Sequence, residues 1–257
     1  MPANLKMRIE PEPGRKMSYQ MSSSMHGLLM EMLSPGQAAK LHEQGLRPYS
    51  QYLSLEEDAV YWNINTLNEE AFQTIILPLL SEEKDTFLLK KHDMKLFVKD
   101  RQLRQTSAKS AADLFYSGSS GRYFRLKFLT PTAFKQNGQY TIYPDLRCIY
   151  QSLMNRYDAV NEKEQLFDEE VLEQLTKDSS IRRYHLKSTS FSLEGVRIPS
   201  FYGWILIRVS GTQTMADFVD LLLHFGEYSG VGIKTSLGMG AVKLIEKEEG
   251  GNDGQTY

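Results

Sequence analysis

The chain has 257 residues with 30 Lys or Arg against 32 Asp or Glu, so a nucleic-acid-binding surface must be a local patch on an otherwise balanced protein. The single cysteine, Cys148, excludes an intrachain disulfide and a metal cluster of the CxxC type. No run of eighteen apolar residues occurs and the first residues do not resemble a secretion signal, so we expect a cytoplasmic protein that does not enter a membrane.

The first hundred residues carry strand and helix patterns in the order β, α, β, β, α, β. Apolar residues with a period of two predict strands, and those with a period of three to four predict helices. In chain order we predict a strand at 5–10, helices at 19–33 and 37–44, strands at 49–55 and 60–64, a helix from Asn68 to Leu80 that Pro78 kinks or ends, and strands at 86–89 and 95–98. Residues 117–121, SGSSG, are interpreted as a linker.

The second half repeats this order. We predict a strand at 123–129, a helix at 145–157, an acidic helical insertion at 161–178, strands at 190–196 and 204–209, a helix capped by Thr214 and a strand at 241–245. Two successive βαββαβ units predict an α+β protein with tandem ferredoxin-like domains. The predicted domains are 1–118 and 122–247, followed by a flexible tail at 248–257.

Residues 226–240, here called the glycine loop, contain five glycines. Gly230-Val231-Gly232 and Gly238-Met239-Gly240 are two triplets of glycine, apolar residue and glycine. The loop is neither a Walker A loop, which needs Gly-Lys followed by Ser or Thr, nor a Rossmann fingerprint. Glycine permits positive φ and close backbone approach, so we expect Lys234, Thr235 and Ser236 to meet an extended phosphate backbone. A glycine-rich hairpin without a ligand is the alternative.

Two further segments carry a family resemblance together with the glycine loop. Residues 127–134 read KFLTPTAF, and Leu41-His42-Glu43 is followed by Arg47-Pro48-Tyr49-Ser50. The three segments span nearly the whole chain and together resemble the CRISPR-associated repeat-RNA endoribonucleases of the RAMP superfamily. The resemblance implies two ferredoxin-like domains of RAMP type and cleavage of CRISPR repeat RNA into guide RNAs without a metal or cofactor, leaving a 2′,3′-cyclic phosphate.

RNA supplies its own nucleophile, so cleavage requires a base for the 2′-OH, an acid for the leaving oxygen and positive charge at the phosphate. His42 matches the catalytic histidine of the family and Arg47 its basic partner, although a surface histidine at a helix end is the plain alternative. Some relatives have an assisting tyrosine where this chain has Met30. We therefore consider His26, one helical turn away, as a substitute, or else as a half-buried neighbour of the core.

The remaining histidines are weaker candidates for catalysis. His92 and His185 lie among basic residues and are interpreted as RNA contacts or plain surface, whereas His224 on an apolar helix is interpreted as a core histidine. Residues 90–127 contain ten Lys or Arg against three Asp and are a candidate RNA surface. The predicted RNA-binding residues are Gly230, Gly232, Lys234, Thr235, Ser236, Gly238, Gly240, Arg125 and Lys127.

Two other functions are compatible with the sequence. The chain could be a non-catalytic RAMP subunit that holds guide RNA, because the assisting tyrosine is missing. A small-molecule regulator with a nucleotide at the glycine loop is the third hypothesis, and it leaves the basic run unexplained. Partners beyond repeat RNA, namely other subunits of a CRISPR effector complex or a second copy in a homodimer, also stay open.

Overall fold

The computed structural model describes residues 2–43, 45–57, 59–81, 84–106, 120–161, 165–193 and 195–245. Most of the predicted linker at 117–121 and the whole predicted tail at 248–257 lie outside these ranges, so the domain boundaries stay predictions. Among the described helices, none has both the length and the apolar character that crossing a lipid bilayer requires.

Five antiparallel strands form the first sheet. They are β1 (Ala3–Pro11), β2 (Tyr49–Glu56), β3 (Ala59–Thr66), β4 (Thr86–Leu89) and β5 (Met94–Gln105), in the spatial order β2-β3-β1-β5-β4. The alternate residues Leu5, Met7 and Ile9 of central β1 are fully buried, as the period of two predicts. Without the edge strand β4, the order β5-β1-β3-β2 is that of a ferredoxin-like unit.

Three helical elements cover the buried face of the first sheet: α1 (Ser22–Met32), α2 (Pro35–Glu43) and α3, a segment at residues 69–79. Met25 and Leu29 lie one turn apart on α1 and pack into the core. Asn68 caps α3 as predicted, because its side chain accepts a hydrogen bond from the Ala71 N–H. The predicted break at Pro78 is a gradual one, in which the α-turn becomes π-helical at Phe72–Ile76 and 3-10 at Leu77–Leu79.

The second sheet repeats the arrangement of the first. Its strands are β6 (Tyr123–Thr132), β9 (Ser179–Leu193), β10 (Val196–Val209) and β11 (Val242–Ile245), and a separate small hairpin is formed by β7 (Phe134–Gln136) and β8 (Gln139–Thr141). The order β11-β6-β10-β9 is again that of a ferredoxin-like unit, so the tandem prediction is confirmed. The helices α4 (Leu146–Asp158), α5 (Glu169–Lys177) and α6 (Gln213–Ser229) accompany this sheet, and all three contribute residues to its core.

Two local predictions in the second half are wrong. The predicted strand at 190–196 joins the end of β9 to the start of β10 across a turn, where Gly195 has a φ of 83°. Pro199 lies within β10 opposite Ser190, so the second strand begins well before residue 204. The cap of α6 is Thr212 and not Thr214, because the Thr212 side chain accepts a hydrogen bond from the Met215 N–H.

The end of α6 and the glycine loop contact the first half of the chain. Ser50 Oγ on β2 donates to the Tyr228 carbonyl at 2.6 Å, and Gln51 Nε2 donates to the Ser236 carbonyl at 3.0 Å. Gln51 also donates to the carbonyl of Ser22 at the start of α1. These bonds hold the glycine loop beside α1 and β2, the elements that carry His26 and Tyr49.

Candidate active site

The glycines of the glycine loop are required by contacts within the protein. Gly230, Gly232, Gly238 and Gly240 all have positive φ, between 67° and 106°. A Cβ at Gly238 would overlap the Ser22 side chain, and one at Gly240 would overlap the Val231 carbonyl. The spacing of the two triplets therefore has a packing reason, whichever ligand the loop binds.

Helix α4 holds the Gly232 peptide at both of its polar atoms. Ser152 Oγ accepts a hydrogen bond from the Gly232 N–H at 2.9 Å, and the Arg156 guanidinium donates to the Gly232 carbonyl at 2.9 Å. Arg156 is 5% exposed, and burial lowers its pKa to about 10, so its side chain stays charged at neutral pH. A charged group thus lies directly behind the glycine loop and fixes its path.

Lys234 is the exposed residue of the glycine loop. It has a left-handed φ of 58° and precedes the 3-10 turn Thr235–Leu237. Thr235 and Ser236, which were predicted to contact RNA with it, are only 3% and 7% exposed. Of the predicted loop contacts, Lys234 is therefore the side chain that reaches open solvent.

His26 on α1 lies at the centre of a cluster that joins three parts of the chain. Its Nε2 is 2.6 Å from Arg47 Nη1 and 2.9 Å from the Tyr49 hydroxyl, and its ring stacks on Tyr49 with an interplanar angle of 11°. The same Arg47 nitrogen donates to Ser236 Oγ at 2.9 Å. Two predicted catalytic residues and one predicted loop residue are thus in direct contact.

Arg47 indicates the protonation state of His26. A guanidinium has only N–H donors, so the contact from Arg47 requires His26 Nε2 to be an acceptor. The ring proton then resides on Nδ1, and the imidazole is neutral. A neutral imidazole with an unprotonated nitrogen is the form that a general base needs.

Tyr49 is a site residue that the sequence reasoning missed. Its side chain is fully buried, and burial raises its pKa to about 12 although Arg47 acts in the opposite direction. The hydroxyl therefore stays protonated at neutral pH and orients the His26 ring. Tyr49 belongs to the Arg47-Pro48-Tyr49-Ser50 segment, which was the available signal, whereas the family resemblance pointed to position 30 for an assisting tyrosine.

A cavity of about 400 Å³ opens beside this cluster, and we call it the His26 cavity. Among the described residues that line it, the cations are Arg47, Lys90, Lys91 and Lys234, and the carboxylate is Glu31, which is 2.8 Å from Lys90 Nζ. His92 Nε2 is 2.9 Å from the hydroxyl of Ser24, a residue of the cavity wall. The volume and charge suit one RNA phosphate with its neighbouring sugar.

The other predicted residues lie in different places. His42 is in the last turn of α2, and its side chain is outside the described part of the structure. Arg125 and Lys127 are on β6 and do not line the His26 cavity. His185 is exposed on β9, and His224 is 37% exposed beside Asp220 on α6, so the interpretation of His224 as a core histidine is wrong.

Within the described ranges, no three His, Cys, Asp or Glu side chains are grouped closely enough to hold a metal ion. Cys148 is buried on α4, where burial raises its thiol pKa to about 11.

Comparisons with known proteins extend over nearly the whole chain. Residues 126–242 match the family described as CRISPR-associated endoribonuclease Cas6. The chain is 36% identical over 225 residues to a protein of that name from Streptococcus thermophilus, covering 87% of this chain and 91% of the relative. It is also 36% identical over 221 residues to one from Mycobacterium tuberculosis, covering 86% of this chain and 70% of that protein.

Solved structures agree on the fold. A structure described as a Cas6 product complex aligns with a TM-score of 0.77 at 24% identity, covering 95% of this chain and 99% of that one. Thermus thermophilus Cas6 aligns with a TM-score of 0.70 at 22% identity, covering 95% and 98% of the two chains.

Proposed function

Because the chain belongs to the Cas6 family of CRISPR-associated endoribonucleases, and so is itself an endoribonuclease, we propose that it cleaves CRISPR repeat RNA in the cytoplasm to release guide RNAs. In this proposal the 2′-OH attacks the adjacent phosphate, no metal ion takes part, and the upstream product ends in a 2′,3′-cyclic phosphate. The observation that carries the proposal is the contact of His26 with Arg47 at the wall of a cation-lined cavity.

Arg47 and Lys234 are assigned to the phosphate. Both line the His26 cavity, and the acceptors that Arg47 contacts include two neutral groups, His26 Nε2 and Ser236 Oγ. A phosphate oxygen is a stronger acceptor for a guanidinium than either of these groups. Binding of RNA would therefore draw Arg47 onto the phosphate and release Nε2 of His26.

Once released, His26 is assigned as the general base. Its unprotonated Nε2 would accept the 2′-OH proton while the Tyr49 hydroxyl holds the ring. His42 is assigned as the general acid that protonates the leaving 5′-oxygen. This assignment rests on the family resemblance of the Leu41-His42-Glu43 segment and on the position of His42 five residues before Arg47.

Cleavage is expected to continue in an excess of EDTA, because the proposed acid, base and phosphate contacts are all side chains. The measurement is denaturing electrophoresis of labelled repeat RNA, with mass spectrometry of the upstream fragment to detect a cyclic phosphate, which is one water lighter than a 3′-phosphate. RNA with a 2′-deoxy sugar at the scissile position is the control and should bind without being cut. Loss of cleavage in EDTA that magnesium restores would contradict the metal-independent mechanism.

The Lys234→Ala variant is expected to bind RNA more weakly and with a flatter dependence on salt. One lost phosphate contact should reduce the slope of log K against log salt by about 0.7. The matched control is Lys135→Ala, which removes an exposed lysine of β7 that does not line the cavity. Fluorescence anisotropy at several salt concentrations measures both slopes, and equal slopes for Lys234→Ala and the parent chain would exclude Lys234 from the phosphate.

A further inference from the structure

The strands of the second sheet have an unusual charge composition. β6, β9, β10 and β11 contain eight Lys or Arg and no Asp or Glu, although the whole chain has slightly more acidic than basic residues. The strands of the first sheet, in contrast, carry Glu10, Glu56 and Asp100 among their cations. The second sheet is therefore a local basic surface within a nearly neutral protein.

Strand register places much of this charge on one face. Lys243, Lys127, Trp204 and His185 lie directly opposite one another across β11, β6, β10 and β9. Two residues further along, Arg125 on β6 and Arg183 on β9 both pair with Leu206 and thus point the same way. The opposite face is the helix-covered core, so we call the face that bears Trp204 the open face.

Trp204 is central on the open face. It is only partly buried, and the Arg125 guanidinium lies 5.0 Å from its ring centroid. Tyr202, at 39% exposed, is on the same face, and so is Tyr123, at 46%, which pairs with Arg208. Aromatic rings among cations are the combination that binds unstacked bases and their phosphates.

The open face is separate from the His26 cavity, since none of its cations lines that cavity. Four strands about 4.8 Å apart span about 14 Å, which is enough for two or three unstacked nucleotides. Two carboxylates of the described residues lie near the β11 edge: Glu56, whose pKa Lys6 and Lys243 lower, and Glu227, which accepts a hydrogen bond from the Leu244 N–H. A second copy of the chain is disfavoured as the occupant, because its own open face carries the same charge.

We propose that the open face of the second sheet binds a single-stranded RNA segment, with one base stacked on Trp204 and the neighbouring phosphates on Arg125 and Lys127. This proposal rests on the proposed RNA substrate and adds a second binding site outside the cleavage site. The site recognises the shape and charge of the RNA strand and accepts different sequences, because every base has a face that can stack.

The chain offers a direct test through its two tryptophans, because Trp62 is fully buried in the first core and Trp204 is not. Addition of the single-stranded probes rA10 and rU10 to the full chain should quench tryptophan fluorescence. The Trp204→Phe variant should bind with nearly unchanged affinity but without the quenching. Trp204→Ala should bind rA10 about 5- to 100-fold more weakly, which corresponds to the loss of one stacked base. Tyr140→Ala in the small hairpin is the control for an exposed aromatic ring.

Unquenched fluorescence at saturating rA10, or equal rA10 affinities of Trp204→Ala and the parent chain, would overturn the proposal. Cleavage of repeat RNA by the parent chain in such a case would leave the proposed function standing. Trp204-dependent binding without cleavage of any repeat RNA would instead support the open-face site and reject the proposed nuclease substrate.

Discussion

The His26→Ala and His42→Ala variants are each expected to cleave repeat RNA about 10²- to 10⁴-fold more slowly than the parent chain, with RNA affinity changed only a few-fold. The reason is that each side chain is assigned a proton transfer, whereas Arg47 and Lys234 carry the phosphate. Single-turnover cleavage at saturating protein measures the effect on the chemical step. His224→Ala is the control, because that imidazole lies beside Asp220 and Glu227 on α6.

A substrate with a 5′-bridging sulfur at the scissile phosphate separates the two roles. A thiolate leaves without protonation, so this RNA no longer needs the general acid. The sulfur should restore much of the rate to His42→Ala and little of it to His26→Ala, because Nε2 of His26 is the unprotonated nitrogen. Restoration of His26→Ala alone would reverse the assignment, and parental rates for both variants on normal RNA would remove both histidines from the mechanism.

The Gly240→Ala variant is expected to lose at least about 4 kcal/mol of its free energy of unfolding, in the range that single substitutions rarely reach. A Cβ there would overlap the Val231 carbonyl, and the φ of 69° disfavours any L-residue. Gly138→Ala is the matched control, because its φ of 80° is similar but a Cβ would have no neighbour within 4 Å. That variant should lose about 1 kcal/mol, the cost of the left-handed backbone alone.

Urea unfolding of the two glycine variants measures the difference, provided that the slope against urea concentration stays the same. Equal losses for Gly240→Ala and Gly138→Ala would mean that the glycine loop adapts easily and that its glycines are not required for packing. RNA affinity should fall with stability in Gly240→Ala, because a displaced loop carries Lys234 away from the His26 cavity.

Much of the fold could be predicted because it depends on local patterns. The alternation in β1 and the Asn68 cap of α3 are set by neighbouring residues, and both were predicted from spacing alone. The bounds of the β9–β10 hairpin were predicted wrongly. Its strands of 15 and 14 residues contain few regular alternations of buried and exposed residues that would mark where each strand begins and ends.

The candidate site was harder to predict because its contacts join distant residues. His26 was considered for its position on α1, but its partner Tyr49 is 23 residues away on β2. The glycines were first interpreted as room for RNA, since sequence shows that glycine is present and not which group fills the space. Beside Gly238 that group is the side chain of Ser22, which belongs to the other half of the chain.

The contact between Gly238 and Ser22 also limits how members of this family could be recombined. The two residues belong to different halves, and their packing leaves no volume for a larger side chain at either position. A hybrid enzyme with its first half from one relative and its second half from another would bring together an α1 and a glycine loop that are not matched in size. A bulkier residue at position 22 would push the glycine loop outward and so weaken the bond to Ser236 that positions Arg47 beside the His26 cavity. Exchanging the start of α1 together with the glycine loop, as one unit, would keep the packing of residue 238 against residue 22 intact.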